Sequence, residues 1–262
     1  MSRDVKRLWF LVGTVLSMVC FFQCEYWVKL IMGRKSFWVE DMASMFSYMV
    51  FHRLYSLEPD IGIFINATWS IIVFNILYGC FIFDELQGGG IYYFIRYRSR
   101  TRWYIYRILK ILKDAFVFHI LYIGVQYIFS LKVSCETISF HNVVMLFSYT
   151  LYFTVLCFMI TLITNFMSGR FGRVVALIVA FIILALARWL TLLVANATII
   201  GTEIKVRALI PLNLTLDREG LLTVDTWMSI ISTFLVCCIL IGVMYCEIRS
   251  ENVGLVCEES HV

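Results

Sequence analysis

The sequence has little charge and almost no proline. Of its 262 residues, 15% are Asp, Glu, Lys or Arg and two are proline, whereas 61% are hydrophobic. The mean hydropathy is +0.85. No soluble domain has enough interior to hide that much apolar surface, so the composition excludes a soluble globular protein. It predicts an integral membrane protein whose exposed apolar side chains face lipid.

Motifs that carry chemistry are also missing. No Gly-x-x-x-x-Gly-Lys-Ser/Thr phosphate loop occurs, so this chain is not expected to hydrolyse ATP itself. The four histidines are scattered and form no His-Glu-x-x-His motif, which leaves a membrane enzyme as the least supported class. The nine cysteines include no Cys-x-x-Cys pair and are interpreted as small buried hydrophobes. We therefore expect no metal or cofactor in this chain.

Long apolar runs are abundant. A membrane-spanning helix needs about 20 mostly apolar residues, and six stretches approach that length. They are residues 8–31, 61–83, 115–133, 143–166, 174–197 and 227–246. These runs predict an all-α membrane protein with six transmembrane helices, forming one domain over residues 1–262. The first run lacks a cleavage site and is interpreted as an uncleaved span rather than a signal peptide.

Basic residues predict the orientation of these spans. They concentrate before the first span, in the segment 85–114, at Arg170 and Arg173, and after the last span. With six spans, all of these positions fall on one side of the membrane. Because Lys and Arg are enriched in cytoplasmic loops, both termini and the segment 85–114 are expected in the cytoplasm.

Two segments on the opposite side are too apolar to be plain loops. Residues 37–57 carry apolar side chains at helical spacing and predict a helix lying in the outer interface. Residues 201–226 contain a short apolar piece broken by Pro211. This piece is long enough to enter the membrane and return, so a re-entrant segment is expected before the sixth span.

The segment 85–114 is the most unusual part of the chain. It reads ELQGGGIYYFIRYRSRTRWYIYRILKILKD and places seven basic residues among aromatic ones. The three glycines at 88–90 are expected to end the second span. Ser99 is a good N-cap for a helix that continues into the third span.

Several interpretations of this segment remain open at the sequence level. It can be a cytoplasmic loop whose aromatic side chains anchor at the interface, or a docking surface for a partner. Its length favours docking, since the next cytoplasmic loop has about seven residues. Arg and aromatic side chains can also hold nucleic acid, but anionic lipid explains the pattern more simply, so no nucleic-acid partner is expected.

The motif in this segment resembles the permease subunits of type-2 ABC exporters. An acidic residue ends the second span, and glycines, Ile-x-x-x-Ile-Arg, Ser99-Arg100 and Trp103 follow before the third. The pattern is most similar to small six-span permeases of the lantibiotic-immunity kind. In that family this loop carries the coupling helix, which sits in a groove of the ATP-binding subunit.

The resemblance implies a set of ATPase-docking residues. They are Glu85, Ile95, Arg96, Ser99, Arg100, Trp103 and Arg107. It further implies that ATP and Mg are bound by a separate ABC ATP-binding subunit, and that a second permease completes the transporter. The expected location is the bacterial cytoplasmic membrane, and the expected cargo is a hydrophobic or amphipathic peptide such as an antimicrobial peptide.

A charged residue inside a predicted span is the remaining functional signal. Arg188 lies in the outer half of the fifth span, within LALARWLTLL. Such residues often mark substrate pathways, so Arg188 is a candidate pathway residue. It can equally extend its guanidinium to the outer headgroups. The alternative function for the whole chain is a non-transporting membrane scaffold or immunity protein that binds a cytoplasmic partner through residues 85–114.

Overall fold

The described part of the chain is helical. The computed structural model describes residues 12–13, 61–85, 100–134, 140–193 and 224–259, and no strand occurs in these ranges. The long helices are α1 Ile61–Tyr78, α2 Arg100–Ser134, α3 Phe140–Phe171, α4 Arg173–Leu193 and α5 Val224–Glu259. A short helical piece, 81–85, follows α1 after a turn. The prediction of an all-helical protein is confirmed for these residues.

Three stretches of these helices are long and apolar enough to cross a membrane. They are Thr68–Glu85, Leu146–Phe171 and Trp227–Cys246, which overlap the predicted second, fourth and sixth spans. A shorter apolar helix, Arg173–Ala187, lies in the predicted fifth span. A membrane protein is therefore supported, while the count of six spans and their orientation stay predictions. Most of the first span, the outer segment 37–57 and residues 201–223 of the outer segment 201–226 lie outside the described residues.

The helix α3 is the centre of the bundle. It contacts α1, α2, α4 and α5, and its middle turns are buried on all sides. The α3 sequence is apolar around its whole circumference, which is the pattern of a helix surrounded by others. Because lipid is as apolar as Leu, these helices are held by close packing and by hydrogen bonds between them rather than by exclusion from water.

The helices α1 and α2 run antiparallel with a constant register. Arg107 contacts Glu85, Lys110 lies over Phe81, and Phe118 packs against Phe74. Residue numbers therefore rise along α2 as they fall along α1. Residues 107–110 of α2 thus lie beside the last turns of the apolar stretch Thr68–Glu85.

The helix α2 is longer than a membrane is thick. Its 35 residues make a rod of roughly 50 Å, against about 30 Å of hydrocarbon. A long helix runs from Arg100 into the third predicted span, as expected, while the predicted N-cap Ser99 lies outside the described residues. The basic half of the segment 85–114 is therefore the first part of this helix and packs on the bundle.

The second predicted span is interrupted, a feature that the apolar run 61–83 did not indicate. α1 ends at Tyr78, Gly79 and Cys80 form a turn, and helical structure resumes at Phe81. The Gly79 N–H still donates to the Asn75 carbonyl at 2.7 Å, and the Asp84 N–H donates to the Cys80 carbonyl at 2.8 Å. The break therefore lies one turn before the end of the apolar stretch.

Candidate functional site

An ion pair joins α2 to the end of the second predicted span. Arg107 Nε lies 2.7 Å from Glu85 Oε2, and the two side chains are 11% and 17% exposed. Opposite charges attract more strongly where solvent is partly excluded, because water and salt screen them less. Because both side chains are largely removed from solvent, removing either one would leave its partner poorly solvated.

Aromatic rings surround this pair. The Arg107 guanidinium carbon lies 5.7 Å from the Phe81 ring centre and 5.6 Å from that of Trp103. Tyr106 lies at 5.7 Å, and Lys110 Nζ is 5.1 Å from the Phe81 centre. All four distances are within the range of cation–π attraction. The Phe81 ring thus connects both cations to the end of the second predicted span, while Trp103 and Tyr106 flank Arg107 within α2.

The first turns of α2 also contact α5. The Tyr104 hydroxyl donates to the Met244 sulfur at 2.9 Å. Burial raises the pKa of Tyr104, so its hydroxyl stays a neutral donor at physiological pH. Glu85, Arg107 and Trp103, together with the Tyr104–Met244 contact, are called the clamp below. The clamp ties the start of α2 to two other helices.

A second polar cluster bridges the break between α1 and residues 81–85. Asn165 Oδ1 on α3 accepts from the Ile82 N–H at 2.9 Å, and its Nδ2 donates to the Tyr78 carbonyl at 2.8 Å. One buried side chain therefore satisfies backbone groups on both sides of the break. Such groups cost several kcal/mol each when left unsatisfied in lipid. Asn165 is the reason that the span can be interrupted at this depth.

Gly79 allows α1 and α3 to approach closely at this break. A Cβ at Gly79 would lie 2.7 Å from Asn75 Oδ1 and 2.9 Å from Thr164 Cγ2, and it would also overlap the Asn75 carbonyl oxygen. The same two neighbours form a bond between helices, since Asn75 Nδ2 donates to Thr164 Oγ1 at 2.9 Å. Only glycine fits here without displacing Asn75 within α1 and Thr164 on α3.

Other polar residues within the bundle have structural partners. The hydroxyls of Thr150, Thr154, Thr161 and Thr164 each donate to the carbonyl four residues earlier in α3. His119 Nδ1 bonds the Ala115 carbonyl in its own helix at 2.9 Å. These contacts are typical of polar side chains packed in a helical bundle. Among the described residues, no three His, Cys, Asp or Glu side chains come together as a metal site.

The predicted docking residues divide into two groups. Glu85, Trp103 and Arg107 come together in the clamp, where Trp103 is only 2% exposed and belongs to the core. Arg100 is the first residue of α2. Ile95, Arg96 and Ser99 lie outside the described residues. The pathway candidate Arg188 lies in α4, and its side chain is outside the described part of the structure.

Sequence reasoning missed the break and the contacts with α5. Two signals were available for the break: an isolated glycine within a helical run, and Asn165 within an apolar one. Neither signal shows that Asn165 lies beside the break at Gly79 and bonds the residues on both sides of it. The Tyr104–Met244 contact joins residues 140 positions apart, and no local pattern indicates it.

Comparison with known proteins returns no relative. No protein family, curated protein or solved structure matches this chain. Its proposed role therefore depends on the geometry of the described helices and on the resemblance of the segment 85–107.

Proposed function

We propose that this chain is the transmembrane subunit of an ATP-driven ABC exporter, with ATP hydrolysed on a separate subunit. The observation that supports this proposal is the clamp. It joins the start of α2 to the end of the second predicted span and to α5. A partner that moves the start of α2 would therefore move three helices together.

In this proposal, docking and transmission belong to different residues. Arg100, with Ile95, Arg96 and Ser99 before it, contacts the ATP-binding subunit. Trp103, Arg107 and Glu85 transmit the displacement, since they are packed against the bundle. The interrupted helix at Gly79 is where residues 81–85 change their angle to α1, and Asn165 keeps both sides of the turn bonded to α3.

The remaining parts of the proposal come from the resemblance of the segment 85–107. A second permease, identical or related, shares the transport pathway in the bacterial cytoplasmic membrane. The cargo is a hydrophobic or amphipathic peptide. Arg188 of α4 is the pathway residue, because a charge deep within an apolar helix is expensive unless it serves a function.

Co-purification from the native membrane tests this proposal. The tagged chain in mild detergent is expected to recover an ABC-type ATPase. Arg100→Glu should reduce that recovery, because it reverses the charge where docking is proposed. Glu85→Gln should leave recovery intact but lower transport per ATP hydrolysed, because it breaks the transmitting pair. Lys113→Gln is the matched control, because it removes one charge from the same helix about 20 Å from Arg100. It should change neither the recovery of the ATPase nor the transport per ATP hydrolysed.

Three results would count against the permease. Wild-type protein recovering no ATPase, under conditions that preserve other ABC complexes, contradicts the proposal. Recovery of a different cytoplasmic protein, lost when residues 91–100 are scrambled, would favour the non-transporting scaffold. Catalytic activity in the purified chain without any ATPase would favour a membrane enzyme.

A further inference from the structure

One face of α2 is exposed between Arg102 and Ile128. Its exposed apolar residues near the middle include Val117, Ile120, Leu121 and Ile128. Towards Arg100, the same face continues with Arg102, Ile105, Tyr106, Leu109 and Lys113, all of which are exposed. The spacing of three and four residues places these side chains on one side of the helix.

The chemistry of this face changes at a defined level. From Val117 towards Ile128 its members are apolar, as expected of a surface against acyl chains. From Lys113 towards Arg102 it gains two cations and a tyrosine. The register with the second predicted span puts Arg107 and Lys110 beside Glu85 and Phe81, where the apolar stretch ends. Lys113 is six residues, about 9 Å, further into the apolar region than Arg107, a depth from which a long side chain extends towards the headgroups.

We propose that Arg102, Ile105, Tyr106, Leu109 and Lys113 form a binding face for anionic phospholipids. Ile105 and Leu109 contact the upper acyl chains, and Tyr106 lies at the interface, where its ring and hydroxyl both find suitable surroundings. Arg102 and Lys113 are about 16 Å apart along the helix. Their long side chains bend towards the intervening headgroup layer from both ends.

Charge and continuity favour lipid over a protein partner for this face. The two exposed charges on it are both positive, which complements phosphatidylglycerol and similar lipids. It also continues without a gap into the apolar face of the third predicted span, so a protein bound here would have to share the surface with lipid. This inference goes beyond the proposed function and does not require an ATPase.

Lipid retention by the purified full-length chain tests the inference. The protein is reconstituted in vesicles of equimolar phosphatidylcholine and phosphatidylglycerol, re-extracted gently, and analysed for bound lipid by native mass spectrometry. Wild-type protein should retain phosphatidylglycerol preferentially. In the double variant R102Q/K113Q, the ratio of retained phosphatidylglycerol to phosphatidylcholine should fall about fivefold for each charge removed. The charge-preserving variant R102K/K113R should keep it.

Equal retention of both lipids by wild-type protein would overturn the inference, as would an unchanged preference in R102Q/K113Q. If the neutral variant is not recovered in folded form, wild-type protein is measured at raised ionic strength. Screening should then weaken the preference, and an unchanged preference again overturns the inference. Lipid retention is measured on the purified chain without an ATPase, so loss of lipid and loss of the ATPase are separate results.

Discussion

At the scale of single residues, Gly79 and Asn165 determine how the second predicted span is built. Gly79 has no Cβ, so α1 and α3 come close enough for Asn75 to reach Thr164. Asn165 carries both a donor and an acceptor, so one side chain can bond the Tyr78 carbonyl and the Ile82 N–H at once. An interrupted helix is tolerated in lipid only where such groups are available.

Gly79→Ala should therefore destabilise the protein. The new methyl group would overlap the Asn75 carbonyl and crowd Thr164, and overpacking of this kind costs about 1–3 kcal/mol. Thermal unfolding in detergent measures the loss. Gly124→Ala and Gly242→Ala are matched controls, because a Cβ at either position meets nothing within 4 Å. Both controls should be neutral or stabilise by up to about 1 kcal/mol, and equal effects at all three sites would contradict the close approach.

At the scale of helices, α2 connects a basic surface to the interior of the bundle. One side of its first turns carries Trp103, Tyr104 and Arg107, which face α1 and α5. The opposite side carries Ile105, Tyr106 and Leu109, which are exposed. The basic segment is thus divided by its own helical period into an inward half and an outward half.

A double-mutant cycle on Glu85 and Arg107 tests the inward half. Glu85→Gln and Arg107→Gln should each lower stability, and the double variant should lose less than the sum. The coupling is expected to be about 0.5–3 kcal/mol, the range for residues in direct contact. Urea unfolding of the purified protein measures it. Lys113→Gln, an exposed control on the same helix, should change stability by no more than about 0.5 kcal/mol. Strictly additive effects would show that the pair is not coupled.

At the scale of the whole molecule, the contacts bring several helix ends to one end of the bundle. Glu85 meets Arg107, and Tyr104 meets Met244. Arg170, on the last turn of α3, and Arg173, the first residue of α4, flank Gly172, whose φ of 81° makes the tight link between them. Positive charge therefore accumulates at this end, which is the end expected in the cytoplasm.

Thiol labelling in intact cells tests this orientation. Phe140→Cys and Phe171→Cys place thiols at opposite ends of α3, at positions that are 85% and 56% exposed. In a background in which all nine native cysteines are replaced, a membrane-impermeant reagent should label the first variant directly. It should label the second only after the cells are opened. The reverse pattern would invert the predicted orientation, and equal labelling of both in intact cells would contradict a spanning α3.

The sequence by itself predicted lipid as the surroundings of this protein and helices as its structure. Composition sets how much apolar surface must be covered, and lipid allows that surface to be exposed only on structures that satisfy their own backbone, such as helices. A helix over the basic half of the segment 85–114 was also predictable, because helical spacing is a local property. Glu85, Trp103 and Arg107 were also predicted as members of one group, because all three lie in the contiguous segment 85–114.

Only the tertiary structure decided which of these residues face inward. The four-residue spacing places Trp103 and Arg107 on one side of a helix, but it does not say that this side meets α1 and α5. Asn165 and Ile82 are 83 positions apart, and their bond depends on where α3 lies. Many packings satisfy the same periodicity, and the one adopted is selected by long-range contacts such as the close approach at Gly79.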